Sequence, residues 1–88
     1  MKRDMELMRK ILFTIEEKHQ PGEGAIWILR IDGHDMPTIA EHCDLLYQQG
    51  FVKSHKANYA SNKVIGFSVG NITSQGYDYL ELNYSFIN

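Results

Sequence analysis

Apolar residues recur along the first part of the chain at the spacing of an amphipathic helix. One face of an α-helix returns about every 3.6 residues, and the segment from Asp4 to about Lys18 follows that period. Asp4 stands where an N-cap side chain accepts a hydrogen bond from the first helical turn. The pattern therefore predicts a helix whose buried stripe consists of Met5, Leu7, Met8, Ile11, Leu12 and Ile15.

A short strand and a second helix are predicted next. The run from Ala25 to Ile31 is rich in β-branched and aromatic residues, which predicts a strand that is apolar on both faces, with Trp27 in the core. After a turn, a helix is expected from about Met36 to Gln49, capped by Asp35 and ended by Gly50 in a left-handed conformation. Its predicted buried stripe is Ile39, Cys43, Leu46 and Tyr47.

Two strand-like runs follow the second helix. They extend from Phe51 to about Lys56 and from Val64 to about Val69, and the polar residues 57–63 between them predict a β-hairpin with a loose tip. Thr73 then caps a last helix to about Asn83, with Tyr77, Leu80 and Tyr84 on one stripe. The order helix, strand, helix, hairpin, helix predicts one α+β domain, residues 1–88, with a winged-helix (winged helix-turn-helix-like) fold. The hairpin would be its wing.

The composition is that of a small globular domain. The 88 residues are 43% hydrophobic and 23% charged, unlike a disordered or fibrous chain. The single cysteine, Cys43, cannot form an internal disulfide, so a cytoplasmic location is expected. The longest apolar run, Ala25 to Leu29, is far too short to cross a bilayer, and no membrane partner is expected.

Three stretches of the sequence carry recognisable motifs. The chain opens with a charged and apolar segment over residues 1–12, and residues 42–52 follow the form His-x-x-Leu-Leu-x-x-x-Gly-Phe-Val. Residues 72–80 have the form Ile-Thr-x-x-Gly-x-x-x-Leu. Together these stretches resemble the YjcQ-like family of small bacterial and prophage proteins. The resemblance implies a winged-helix fold, and it brings no catalytic activity and no cofactor.

The charge of the second helix does not favour nucleic acid. In a winged helix the helix before the wing enters the major groove and usually carries Lys, Arg, Asn or Gln. The span from Met36 to Gln49 has no Lys or Arg, and it contains Glu41 and Asp44. The face of this helix expected to contact a partner consists of Thr38, Glu41, His42, Gln48 and Gln49.

The wing has the opposite charge. No acid lies between Phe51 and Val69, and an exposed aromatic such as Tyr59 often marks a contact surface. We therefore expect a DNA-binding, transcription-regulator-like protein that contacts double-stranded DNA through the wing. The alternative is a phage or bacterial protein–protein adaptor that does not bind DNA. The predicted nucleic-acid-binding residues are Lys53, His55, Lys56, Asn58, Tyr59 and Lys63.

Other chemistry is weakly supported by the sequence. The histidines and Cys43 match no common zinc-finger spacing, and a lone cysteine on an apolar stripe usually acts as a small hydrophobe. No nucleophile, base and orienting group can be assembled, so no enzyme activity, metal or cofactor is expected. Phe86 and Ile87 either dock on the core or form part of a homodimer seam, and the second is attractive since a short domain gains stability by pairing.

Overall fold

Three helices and a three-stranded antiparallel sheet make up the described part of the chain. The computed structural model describes residues 4–18 and 24–87, with side chains as far as residue 82. The strands are ordered β1-β3-β2 across the sheet. This confirms the α+β class and is compatible with a winged-helix arrangement. The elements are α1 (Met5–Lys18), β1 (Ile26–Trp27), α2 (Met36–Gln48), β2 (His55–Ala60), β3 (Lys63–Val69) and α3 (Ser74–Ile87).

The first two helices begin at the side-chain caps that the sequence predicts. The N–H of Leu7 donates to Asp4 Oδ1, and the N–H of Thr38 donates to Asp35 Oδ1, each at 3.0 Å. Both bonds favour the charged carboxylate. The backbone bond from Leu7 is the main cause that lowers the pKa of Asp4, and the Thr38 side chain is the main cause for Asp35.

Gly50 ends α2 as predicted. Its φ of 80° lies in the left-handed region, where glycine has no steric penalty. The N–H of Gly50 donates to the carbonyl of Tyr47 at 3.0 Å, and that of Phe51 donates to Leu46 at 2.9 Å. This pair of bonds is a Schellman motif, and it turns the chain sharply from α2 toward the hairpin.

The core lies between the helices and one face of the sheet. The buried apolar positions of α1 and α2 agree with the stripes predicted from the sequence, except that Met5 and Tyr47 are exposed. The buried positions of α2 are 39, 40, 42, 43 and 46. Position 47 lies at the same edge of that stripe as position 40, where the small Ala40 is buried and the larger Tyr47 is 47% exposed. The buried apolar residues are Leu7, Met8, Ile11, Leu12, Ile15, Leu29, Ile39, Ala40, Cys43, Leu46, Val52, Phe67, Val69, Ile72 and Leu80.

Strand β1 is shorter than predicted, and Trp27 is not a core residue. The strand pairs Ile26 with Val69 and Trp27 with Ser68 before Ile28 leaves the extended conformation with a φ of 52°. Because successive side chains in a strand point to opposite faces, Val69 faces the core while Ser68 and Trp27 face outward. Trp27 is 64% exposed, so the prediction of a buried tryptophan was wrong.

The predicted loose loop over residues 57–63 was also wrong, because the hairpin continues through it. Strand β2 reaches Ala60, β3 begins at Lys63, and the two central residues of the turn both have positive φ. A two-residue turn of that kind matches the twist of a β-hairpin. Ser61 and Asn62 are the two residues of this turn. The segment from Asn58 to Ser61 is polar, so the sequence predicted a loop where β2 continues. The residues 51–54 assigned to a strand make only an isolated bridge, between Val52 and Ile72.

Thr73 caps α3 as predicted, since its Oγ1 accepts from the N–H of Gly76 at 3.0 Å. Leu80 is buried, whereas Tyr77 is exposed, because the side of α3 that approaches the core runs through Gly76 and Leu80. The side chain of Tyr84 lies outside the described part, as does the dimer seam expected at Phe86 and Ile87.

Gly76 is a close-packing point, and we expect Gly76→Ala to lower the free energy of unfolding by about 2 kcal/mol. A Cβ at this position would collide with the carbonyl oxygen of Phe51 and with Ile72 Cγ2, and such overpacking costs about 1–3 kcal/mol or more. The better helix propensity of alanine, about 1 kcal/mol, offsets part of that cost. Urea denaturation measures the effect. Gly24→Ala is the control, since no atom lies within 4 Å of its added Cβ, and equal loss in both variants would contradict the packing.

Candidate nucleic-acid interface

Two of the predicted lysines lie on the hairpin, Lys56 in β2 and Lys63 at the start of β3, and Lys53 lies two residues before β2. Lys53, Lys56 and Lys63 are all exposed, and none of them makes an ion pair with a described acid. Lys63 pairs with Ala60, which is four residues along β2 from Lys56. At about 3.3 Å per residue, the two lysines are spaced roughly 13 Å apart along the ribbon. The hairpin and the residue range just before it therefore present several exposed cations rather than a single point charge.

Asn58 and Tyr59 lie in β2 rather than in a loop. Asn58 is exposed and stands opposite Gly66, whereas Tyr59 is 66% exposed and stands opposite Val64. The register shifts between them, which leaves Ile65 as an extra, exposed residue in β3. This irregularity is a β-bulge, which bends and twists the ribbon toward its tip.

His55 does not add a fourth positive charge to the hairpin. Its ring is half-buried, with Nδ1 3.2 Å from the carbonyl oxygen of Ser68 and the ring centroid 6.3 Å from that of Phe67. Burial lowers the pKa of His55 from its usual value of 6.5, and this outweighs the nearby Asp44, which acts to raise it. The imidazole is therefore neutral at pH 7 and adds no positive charge to the hairpin, while its contact with nucleic acid stays a prediction.

The exposed face of α2 is acidic and polar. Glu41, Gln48 and Gln49 are exposed as predicted, while Thr38 is half-buried. Gln48 Nε2 donates to Asp44 Oδ2 at 2.7 Å, so these two side chains hold each other on the surface. This face carries no cation that could meet a phosphate.

His42 was predicted on that exposed face, and this was wrong. It is only 1% exposed, and it connects α1 to α2. The backbone N–H of Asp4 donates to His42 Nε2 at 3.0 Å, and Nδ1 lies 2.8 Å from the carbonyl oxygen of Thr38. Because the amide can only donate, Nε2 must accept and Nδ1 must carry the proton. His42 is a structural residue of the helix pair.

A groove of about 400 Å³ separates α2 from the hairpin. On the α2 side its lining includes Ala40, Glu41 and Asp44, and on the hairpin side it includes Ala57, Tyr59 and Val64. This groove could not be predicted from the sequence, because it depends on the position of α2 relative to β2. Exposed Trp27 was also missed as a surface residue, although the alternation of the strand could have placed it there.

Cys43 has the environment of an unreactive thiol. It is fully buried, and burial raises the pKa of the thiol to about 12. The thiolate is the nucleophilic form, so Cys43 carries no nucleophile at neutral pH. Among the described residues, no group of three or more His, Cys, Asp or Glu side chains could hold a metal ion. None of the helices in that part of the chain has the length and apolar character needed to cross a membrane.

Comparison with known proteins gives one match. The model of a family described as "Hypothetical protein (DUF2513)" matches residues 2–83 of the chain. No curated protein and no solved structure matches it.

Proposed function

We propose that this chain, which belongs to the DUF2513 family, is a non-enzymatic winged-helix module that binds double-stranded DNA through its hairpin. In this assignment β2 and β3 form the wing, and α2 is the helix that precedes it. The observation that supports the proposal is the set of exposed lysines at positions 53, 56 and 63, none of them paired with a described acid. Lys56 and Lys63 lie on a hairpin that contains no acid, and Lys53 lies just before it. Lysine side chains on a projecting ribbon are well suited to contact phosphates.

The charges of α2 favour contact by the wing over reading of bases by the helix. Glu41 is exposed and Asp44 is half-buried on α2, where carboxylates would repel the phosphates on either side of a major groove. In addition, β1 separates α1 from α2 in the chain, so the two do not form a helix pair joined by a turn of three or four residues. Binding through the wing alone contacts the backbone and reads little sequence.

The proposed mode sets the strength and the salt dependence of binding. Each neutralised phosphate contributes a slope of roughly −0.9 to the plot of log K against log salt concentration, so three lysines give a slope of about −3. That slope is shallow compared with a protein that makes six to ten phosphate contacts. We therefore expect weak binding that is detectable at 50 mM salt and largely lost at 200 mM salt.

The test is replacement of all three wing lysines, Lys53, Lys56 and Lys63, by alanine. Fluorescence anisotropy with a labelled random-sequence 20-base-pair duplex would measure affinity across a salt series. We expect the variant to bind at least about tenfold more weakly at 50 mM salt, with the slope reduced by about 3, because the phosphate contacts are gone. All sequences should be affected alike.

The matched control removes three other cations, with the substitutions Lys10→Ala, Lys18→Ala and Arg30→Ala. These three side chains are exposed and lie outside the hairpin. Each variant removes three positive charges, so both variants change the net charge equally. Affinity within about twofold of the unsubstituted protein is expected for this control. No complex at 50 mM salt, or an equal loss in both variants, would overturn the proposal.

A further inference from the structure

We propose a second binding site, distinct from the wing lysines: the free edge of β2 accepts an extended basic segment of another protein as an added strand. The site consists of the outer edge of β2 and the groove between β2 and α2. Its carboxylates give it the opposite charge to the proposed DNA contact, and of the three wing lysines only Lys56 borders it.

The outer edge of β2 has backbone groups that point away from the sheet. The N–H of Ile28 donates to the carbonyl of Phe67 at 2.8 Å, so the backbone groups of Phe67 face β1. Ala57 is directly opposite Phe67 in the antiparallel β2–β3 pair. Residues opposite each other in such a pair either exchange both of their hydrogen bonds or both face away. The N–H and C=O of Ala57 therefore point outward.

The same alternation applies to His55, which is opposite Val69 in the register. The bond from the N–H of Gly70 to the carbonyl of Ser54, at 2.8 Å, agrees with it, since position 54 then faces β3. Two residues of β2 thus offer outward donors and acceptors at the spacing of a strand. An extended peptide can pair with such an edge, and side-chain pockets beside the edge then select its sequence.

The groove beside this edge selects for positive charge. Its α2 wall carries Glu41 and Asp44, and neither makes an ion pair within the described part of the chain. Lys56 also borders the groove, although its place in β2 puts it on the opposite face of the sheet with Ser68. Even when its charge is counted, the charged groups of the lining sum to −1, since His55 is neutral at pH 7. An added strand lies about 4.8 Å from β2, and every second side chain points to the α2 side of the sheet. Lysine or arginine at those positions would meet the two carboxylates.

The remaining features of the edge fit the same occupant. Tyr59 is 66% exposed and lines the groove, where its ring can contact a cationic side chain. On the other face of the sheet, Lys56 shares a row with Ser68, so the alternate positions of the segment should be uncharged or acidic. A second copy of this chain fits poorly, because pairing β2 with β2 would bring together two acidic α2 faces and two copies of Lys56.

Two labelled nine-residue peptides test the site in fluorescence anisotropy with the full chain. One alternates lysine with threonine, and the other alternates glutamate with threonine. We expect the lysine peptide to bind at least tenfold more tightly. The double variant Glu41→Lys with Asp44→Lys should reduce that affinity at least tenfold, whereas Glu16→Lys with Glu17→Lys, an equal charge change on α1, should leave it within threefold.

Ala57→Pro separates strand addition from simple charge attraction. Proline removes an N–H that points away from β3, so no hydrogen bond of the hairpin is lost, and proline is tolerated on edge strands. We expect this variant to lose the peptide while Ala57→Val, which keeps the N–H, retains it. Thermal melting checks that each variant folds. If the Ala57→Pro protein does not fold, the substitutions of Glu41 and Asp44 on α2 still test the site.

Several results would overturn the site. They are equal affinity for the two peptides, indifference to the α2 substitutions, binding by a folded Ala57→Pro protein, and a β2-edge dimer that excludes the peptide. Replacing Lys53 and Lys63, which do not line the groove, should weaken duplex binding but leave peptide binding intact, so the two sites can fail independently.

Discussion

Replacing Phe67 by alanine is expected to lower the free energy of unfolding by about 3–5 kcal/mol, which is the usual cost of removing a buried phenylalanine. Phe67 is fully buried and is the largest side chain in the core. It lies in the central strand of the sheet, so the cavity would open between β3 and the helices. A domain of this length has a total stability of roughly 4–13 kcal/mol, so the loss is a large share of it.

Thermal unfolding measures this effect directly. For a domain of this size each 1 kcal/mol changes Tm by about 4–8 °C, so a decrease of at least 12 °C is expected. Phe13→Ala is the matched control, since it removes the same atoms from a side chain of α1 that is 38% exposed. Its cost should be clearly smaller, and comparable values for the two variants would mean that Phe67 is not the centre of the core.

The helices could be predicted from the sequence because their signals are local. The caps Asp4, Asp35 and Thr73 act on amides three residues away, and Gly50 acts on the preceding turn. The apolar stripe of α1 also depends only on the period of the helix. These features are determined within about one turn of the chain, so they appear in the structure where the sequence places them.

The sheet was harder to predict because its residues do not show which face or edge they occupy. Only one face of β2 is partly buried, and its polar sequence is typical of a loop. Trp27 looked like a core residue by composition, yet it lies on the outer face because of its register with Ser68. Register is set by pairing between strands, and that information is absent from either strand alone.

The candidate site also has parts that could be predicted from the sequence and parts that could not. The exposure of the three wing lysines and of Glu41 follows from their polarity, and the structure agrees. The groove could not be predicted, since it needs the position of α2 relative to β2. His42 was predicted on the wrong face because its partner Asp4 is 38 residues away in sequence. The partial burial of His55 was not predicted because Ser68, which its ring contacts, is 13 residues away.

The connection made by His42 leads to the second large effect, a loss of about 3 kcal/mol in the variant His42→Ala. The substitution removes the bonds to the Asp4 amide and to the Thr38 carbonyl, which contribute about 1 kcal/mol each. It also leaves a cavity where a fully buried ring packed between α1 and α2. At a urea m value of about 1 kcal/mol/M, the midpoint should fall by about 3 M.

His34→Ala is the control for this variant, because His34 is only half-buried and no hydrogen bond to its ring is present in the described part of the chain. Its urea midpoint should stay within about 0.5 M of the unsubstituted protein. A surface histidine at position 42 would give the same small change in both variants, which would contradict the buried position. Hydrogen exchange adds a local measurement. The amide of Asp4 should lose its protection in His42→Ala before the rest of α1 does, because it alone donates to the missing ring.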